Sequence, residues 1–322
     1  MASGKGDSFM NANQHHLPAA LRIGILVTLF LPAIALSSDL IILSASGNPT
    51  VERICKSASD AIIEEIKETY SSYRVVGTTT YNADALKKLA IEEDAKLVVA
   101  LGDAAHRIAK AANLNIPVIM TLSTNGLKDY QDGSKNIFGV HLTPSPSAIV
   151  EKLQYILGSN VRKVAYLYST SNLTALDALD ALNKAGKAAS VPVTFVGKPV
   201  ETTDDVKKAL SELSGYDALM TSADAPIVQN FKIILRFQID HKMPVFSPNA
   251  VFVKNGLLFG LDVGIPDIAL KVAEIAKTIK SKPKSTPIFD YPAMKKANLI
   301  VNETVADRMG VLLSEKDYTA AK

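Results

Sequence analysis

The feature that most constrains this chain is a junction that recurs along it: a short apolar run, a polar break, and then apolar residues at helical spacing. The stretch VVALGDAAHRIAKAA at 98–112 is one example, in which Gly102 and Asp103 separate a strand-like run from a helix. Strands that are apolar on both faces are typical of sheets covered on both sides. Their alternation with helices predicts an α/β protein built on parallel sheets.

The alternation occurs in two sets, which predicts two Rossmann-like lobes. The first set places strands at 39–45, 73–79, 95–101 and 116–122. Glycine and prolines then interrupt the rhythm at 136–147, which predicts a segment that crosses between lobes. The second set places strands at 162–169, 191–197, 217–223 and 243–249, and one long helix at 224–241; a further strand is predicted after it at 256–262. A helix at 266–280 and a strand with a short helix at 298–310 follow, and residues 314–322 are expected to fray.

Residues 1–37 are predicted to be a secretory signal peptide. Lys5 and Arg22 precede a charge-free apolar run at 23–36, and small residues lie around its end, as a cleavable leader requires. The run is shorter than the about 20 residues that span a bilayer. Cleavage near 35–38 would leave a periplasmic protein, and an uncleaved membrane anchor is the alternative.

Charge, cysteine content and motifs narrow the function classes. The formal net charge is only +3 with acids and bases interspersed, so no nucleic-acid partner is expected. Cys55 is the one cysteine, which excludes an intrachain disulfide and a thiolate metal cluster, and we interpret it as a small core residue. His106, His141 and His241 are isolated, and no dinucleotide, P-loop or nucleophile-elbow motif is present. We therefore predict no catalytic residue, no metal and no cofactor.

Small polar residues follow the strands of both sets, at the edge where open parallel sheets bind ligands. Helix N-termini at this edge offer N–H groups that favour anions. We predict a ligand site shared by the two lobes and formed by Ser46, Asn48, Asp103, Ala104, Ser123, Thr124, Asn125, Ser169, Ser171, Asp224, Asn249 and Asp262. The alternative for each loop is helix capping or a tight turn, which favour the same residue types. For Asp103 and Asp224, capping or a hydrogen bond between lobes stays open.

From residue 39 almost to its end, the chain also resembles a known family. The similarity rests on four segments in a fixed order, namely IPVIMTLSTNGL, NIFGVHLTPSPSAIVEKLQYIL with KVAYLYSTSN, MPVFSPNAVFVKNGLLFGLDVGIPDIALKVAEIAKTI, and NLIVNETVADRMG. They are similar to the substrate-binding proteins of ABC transporters of the tryptophan/tyrosine-transport type. The resemblance implies the type I periplasmic-binding-protein fold, with two hinge-linked lobes that close on a ligand. Lobe I is then expected at 38–142 plus about 252–286, and lobe II at 143–251 plus about 287–322.

The same resemblance implies a function without chemistry. A monomer would capture a small solute, such as an amino acid, and deliver it to a membrane permease powered by a partner ATPase. Thr124-Asn125-Gly126 and Pro248-Asn249-Ala250 stand where family members usually carry acidic residues, so Asp103, Asp224 or Asp262 would have to pair with a ligand ammonium. The alternative from another class is a periplasmic sensory module that signals to a membrane kinase or cyclase.

Overall fold

The computed structural model describes residues 37–123, 134–172, 174–294, 298–313 and 318–321. Apart from Ser37, the predicted signal peptide lies outside these ranges. The described residues form two mainly parallel sheets with helices between their strands. This arrangement confirms the predicted α/β fold class.

The first sheet contains β1 (Leu40–Ser44), β2 (Tyr73–Gly77), β3 (Leu97–Leu101), β4 (Val118–Thr121), β5 (Ile137–Val140) and β11 (Phe289–Asp290). Their spatial order is β11-β5-β4-β3-β1-β2, and every described pair is parallel. All five residues of β3 are buried, because this strand has neighbours on both sides and helices on both faces. That burial explains why its sequence is an unbroken apolar run.

Within the described ranges, the helices that cover the first sheet are α1 (Pro49–Ile66), α2 (Ala83–Glu92), α3 (Asp103–Ala112) and α10 (Ile265–Ser281). Successive side chains of a strand point to opposite faces. Ile42 therefore packs with the buried residues of α1 and α10, whereas Ile41 and Leu43 pack with those of α2 and α3. Cys55 is buried in α1, as predicted for a core residue.

The second sheet contains β6 (Lys163–Ser169), β7 (Thr194–Val200), β8 (Ala218–Thr221), β9 (Val245–Ser247), β10 (Phe259–Leu261), β12 (Leu299–Val301) and β13 (Thr319–Ala320). Their order is β13-β12-β10-β9-β8-β6-β7, with only the described pair β10–β12 antiparallel. The helices of this half are α4 (Pro146–Leu157), α5 (Ala175–Ala188), α6 (Thr203–Ser211), α7 (Ala225–Gln229), α8 (Phe231–Asp240), α9 (Val251–Lys254) and α11 (Glu303–Met309).

Two local expectations in this half are wrong. The helix expected at 224–241 is divided at Asn230, whose buried side-chain amide donates to the carbonyl oxygen of Pro226 at 2.8 Å. Such a side-chain bond competes with the regular backbone ladder. The tail expected to fray contains β13, which pairs with β12 through Thr319 and Ile300.

Sheet membership also differs from the expected boundaries of the lobes. Phe259 of β10 pairs with Phe246 of β9, so β10, which lies within the stretch expected in lobe I, belongs with the second sheet. β11 pairs with β5, so residues 289–290 belong with the first sheet rather than with the second. β10 is as apolar as the strands of the first sheet and β11 has only two residues, so the local pattern could not make this choice. The division into two lobes that close by a hinge stays a prediction.

Candidate functional site

The carboxyl ends of β1, β3 and β4 bring the described candidates of the first sheet to one edge. These strands are neighbours and run in parallel, so the residues that follow them come together. Ser46 follows β1, Asp103 and Ala104 open α3 after β3, and Ser123 follows β4. Thr124 and Asn125 lie outside the described residues.

Ser46 is held by the loop that follows β2, which the sequence analysis did not include in the site. Its backbone N–H donates to Thr78 Oγ1 at 2.9 Å, and its hydroxyl donates to Thr79 Oγ1 at 3.0 Å. The N–H of Thr79 in turn donates to Ser46 Oγ at 2.9 Å. A run of three threonines directly after a strand is the signal that could have identified this loop.

Asn48 has the capping role that was considered as its alternative. Its Oδ1 accepts from the backbone N–H groups of Thr50 and Val51 at 3.0 and 3.3 Å, at the start of α1. Glu52 accepts from the N–H of Gly47 at 2.7 Å and fixes the same turn. The side-chain oxygen of Asn48 thus stabilises the helix start, and a contribution to ligand binding stays a prediction.

The Gly102-Asp103 break is explained by backbone geometry and by one side-chain bond. Gly102 has φ +87°, and a Cβ there would lie 2.9 Å from the Cβ of Ala45, so a side chain would be strained on both counts. The hydroxyl of Ser123 donates to Asp103 Oδ1 at 2.8 Å. Asp103 therefore joins the loops after β3 and β4 of the first sheet.

His106 lies beneath this loop and is fully buried. Its Nε2 lies 2.8 Å from the carbonyl oxygen of Thr121 and 3.1 Å from that of Ala100, so it must carry the proton and act as the donor. Burial lowers the pKa of His106 below its ordinary 6.5, against a smaller opposing effect of the two carbonyl bonds. The residue is a neutral core histidine that links β3 to β4.

Asp224 organises the candidates of the second sheet. Its Oδ2 accepts from the Ser169 N–H at 2.8 Å and from the Ser222 hydroxyl at 2.6 Å. Its Oδ1 accepts from the side-chain amide of Asn172 at 2.9 Å. Asp224 precedes α7 but makes no side-chain cap bond there. Asp224 therefore joins the loops after β6 and β8. This role differs from both alternatives considered for it, helix capping and a hydrogen bond between lobes.

Glu201, which follows β7, is a second carboxylate that holds the loop after β6 by hydrogen bonds. The sequence analysis did not include it in the site. Its Oε1 accepts from the Ser169 hydroxyl at 2.8 Å, from the Ser171 N–H at 2.9 Å and from the Thr170 hydroxyl. These donors lower the pKa of Glu201 below its usual range, with the Thr170 hydroxyl as the largest contribution. Its position directly after a strand of the same edge was the available signal.

Asn249 follows β9, which pairs with β8, and Asp262 follows β10, which pairs with β9; both pairs are parallel. Both residues are exposed. Asn249 Oδ1 accepts from the Val251 N–H at 3.0 Å, whereas Asp262 is fixed through its backbone N–H, which donates to the Asn298 carbonyl oxygen at 2.7 Å. The carboxylate of Asp262 therefore lies at the surface of this edge while its backbone is held in place.

A cavity of about 500 Å³ opens beside the candidates of the first sheet. Its walls are Ser46, the segment 78–83 that leads from β2 into α2, and one face of α3. A second cavity, of about 720 Å³, lies among α6, α8 and the turns before β8 and β9. That position is the amino edge of the second sheet, away from the strand ends that carry the candidates.

Across the described residues, no group of three or more His, Cys, Asp or Glu side chains is arranged to hold a metal ion.

Comparison with known proteins now assigns the chain to a family. The family model described as "ABC transporter substrate binding protein" matches residues 41–322. The chain belongs to this family. The match confirms the resemblance found in the sequence, and it covers both sheets of this substrate-binding protein. None of the curated proteins compared with the chain matches it.

Solved structures share the fold at low sequence identity. A ligand-free, open substrate-binding protein with adhesive properties from Clostridium difficile is 17% identical, with a TM-score of 0.63 over 88% of this chain and 99% of that one. An ABC domain from Streptococcus pneumoniae in complex with L-Trp is 17% identical, with a TM-score of 0.50 over 86% and 95%. These likenesses concern the fold alone. No helix in the described part of the chain combines the length and apolar character needed to cross a membrane.

Proposed function

We propose that this chain is the exported solute receptor of an ABC uptake transporter. In this proposal residues 1–37 direct export and are removed, and the remaining monomer binds one small solute between its lobes. It then delivers the solute to a membrane permease with a partner ATPase and performs no chemistry itself. The observation that carries the proposal is the family match over 41–322.

The arrangement of the two sheets supports a binding role. Each sheet presents several loops of small polar residues at the carboxyl ends of parallel strands, where α/β proteins bind ligands. The loops are held by buried or half-buried hydrogen bonds, such as those of Ser123 to Asp103 and of Ser169 to Asp224. Loops fixed in this way lose little conformational entropy when a ligand arrives, which favours affinity.

The proposed contacts comprise the predicted residues of both sheets. Asp103 and Asp224 act mainly by holding loops, because their carboxylates already accept bonds from neighbouring loops. Asp262 has an exposed carboxylate at this edge and is the proposed partner for a ligand ammonium. An amino acid or a related molecule is the proposed ligand class, in keeping with the L-Trp held by the pneumococcal neighbour.

A thermal-shift screen of the protein purified from cells that express the full chain tests this proposal. The compounds are amino acids, nucleosides, sugars, small organic acids and lipophilic solutes. A ligand at 100 times its Kd stabilises a protein by about 2.7 kcal/mol, which gives a clear rise in Tm. The combined variant Asp103→Asn with Asp224→Asn should bind the ligand more weakly, whereas Asp240→Asn at the opposite edge should not.

Three results would count against parts of the proposal. Binding of no compound would contradict the receptor role. Unchanged affinity in the combined variant would contradict the site, although the receptor role would stand. A ligand whose uptake by cells does not depend on this chain, but whose presence changes the activity of a membrane kinase or cyclase, would replace transport by sensing.

A further inference from the structure

The cavity beside β2 has walls that leave room for part of a ligand. On one side, α3 presents Ala104, Arg107, Ile108 and Ala111, which recur at the three- and four-residue spacing of a single helix face. Two of these four side chains are alanine methyls, so this wall takes up little space. On the other side runs the segment 78–83, and Ser46 lies between the two walls at the end of β1.

The charge on the described lining of the cavity is positive. Among the described residues that line it, Arg107 is the only charged one, and it is exposed. Asp103, one turn earlier in α3, is not among the residues that line the cavity, and its carboxylate accepts from the Ser123 hydroxyl in the loop after β4. The start of α2, at Asn82 and Ala83, also borders the cavity, and the N-terminus of a helix carries partial positive charge. An anion is therefore favoured over a cation here.

The neutral part of the lining suits a polar group with hydrogen-bonding oxygens. Ser46, Thr78, Thr79, Thr80 and Tyr81 place five hydroxyl groups around the cavity. The Ser46 hydroxyl contacts those of Thr78 and Thr79 at 3.3 and 3.0 Å, which holds these three groups in position before a ligand binds. An anion needs donors, and a hydroxyl that accepts such a bond, as Thr79 does from Ser46, still has its own proton to donate.

We infer that this cavity is the subsite for an anionic group of the ligand, and that Arg107 is its specificity-determining residue. The ligand class is then a solute that bears a carboxylate or a phosphate, and a carboxylate would receive two parallel N–H bonds from the guanidinium. This inference rests on the proposed function, because it assigns the chemistry of one end of the same ligand. It assigns a part of the ligand to a loop after the edge strand β2, which the predicted site did not include.

The experiment compares matched pairs of solutes by isothermal titration with the purified full-chain product. The probes are L-tryptophan with L-tryptophanamide, succinate with succinamide, and glycerol 3-phosphate with glycerol. The variants are Arg107→Gln, Arg107→Lys and a control, Arg53→Gln, which removes an exposed arginine from α1 of the same half of the chain. Equal Tm values without ligand show that the variants are folded.

We expect at least one anionic probe to bind and its uncharged or amidated partner to bind at least about tenfold more weakly. Arg107→Gln should weaken the anion by about 10- to 100-fold, Arg107→Lys should weaken it less, and Arg53→Gln should leave it unchanged. The identity of the anion that binds separates a carboxylate ligand from a phosphate ligand.

Other outcomes overturn the inference and can be told apart from failure of the proposed function. If a neutral solute binds and no anionic probe does, the receptor role survives and the anion subsite is wrong. The same conclusion follows if an anion binds with equal affinity to the wild type and to Arg107→Gln. If nothing binds, neither in these pairs nor in the wider screen, both proposals fail.

Discussion

Replacement of Asp224 by asparagine should loosen the loop that follows β6. The carboxylate accepts three hydrogen bonds, from the Ser169 N–H, the Ser222 hydroxyl and the Asn172 amide. Asparagine retains one acceptor oxygen and turns the other position into a donor, which would then face a donor of the neighbouring loop. Bonds to a charged acceptor contribute about 1.5–3 kcal/mol each and neutral ones about 1 kcal/mol.

The magnitude follows from what is left after the change. With the amide oxygen in the Oδ2 position, the bond from Asn172 is lost and those from Ser169 and Ser222 become neutral. Because Asp224 itself is half-buried, we take the low end of the range and expect a loss of about 2 kcal/mol in the free energy of unfolding. Urea unfolding followed by circular dichroism measures this loss. Hydrogen exchange of the amides at 169–172 should become faster.

Asp217→Asn is the matched control, because it makes the same change at the opposite edge of the same sheet. Asp217 Oδ2 accepts from the N–H groups of Arg162 and Lys163, both at 2.8 Å, and the residue is exposed. This variant should leave exchange at 169–172 unchanged. If Asp224→Asn also left exchange there unchanged, Asp224 would not be the residue that holds this loop.

Two further predictions concern stability alone. Gly186→Ala should lower Tm, since a Cβ there would lie 2.1 Å from the carbonyl oxygen of Val193 and such overpacking costs about 1–3 kcal/mol; an unchanged Tm would contradict this close approach. Burial lowers the pKa of His106 below 6.5, so just below pH 6.5 the unfolded chain binds more protons than the folded one. The free energy of unfolding should therefore fall as the pH decreases through this range, by at most about 1.4 kcal/mol per pH unit. Urea titrations at pH 5, 6 and 7 should show a weaker dependence for His106→Gln than for the wild type or for His241→Gln at an exposed position, and equal slopes would refute the assignment.

Local sequence was sufficient for most of the secondary structure, because the signals that set it act over a few residues. The apolar run of β3 and the caps at Asn82 and Thr202 were visible directly. Thr202 and Asp205 form the expected capping box, with aspartate in the position that usually holds glutamate. The division of α7 from α8 was not visible, since it depends on a bond of the Asn230 side chain to a carbonyl four residues back.

The candidate site was predictable only in outline. Polar residues after strands could be found by pattern, and Ser46, Asp103, Ser169 and Asp224 all lie at carboxyl ends of parallel strands. What each side chain bonds to depends on which strands are neighbours. Glu201 was therefore missed, because its link to the loop after β6 exists only once β6 and β7 are paired.

The sequence by itself determined the α/β class, the two sets of strands and helices, and the family, because apolar periodicity, caps and segment order are written locally along the chain. Only the tertiary structure decided that β10 joins the second sheet and β11 the first, and that Arg107 and the threonines after β2 share one cavity. For β10 the physical reason is that an apolar strand can pair equally well in either sheet until its neighbours are fixed, and β11 has too few residues to carry a pattern. The contacts between polar loops follow from that long-range choice.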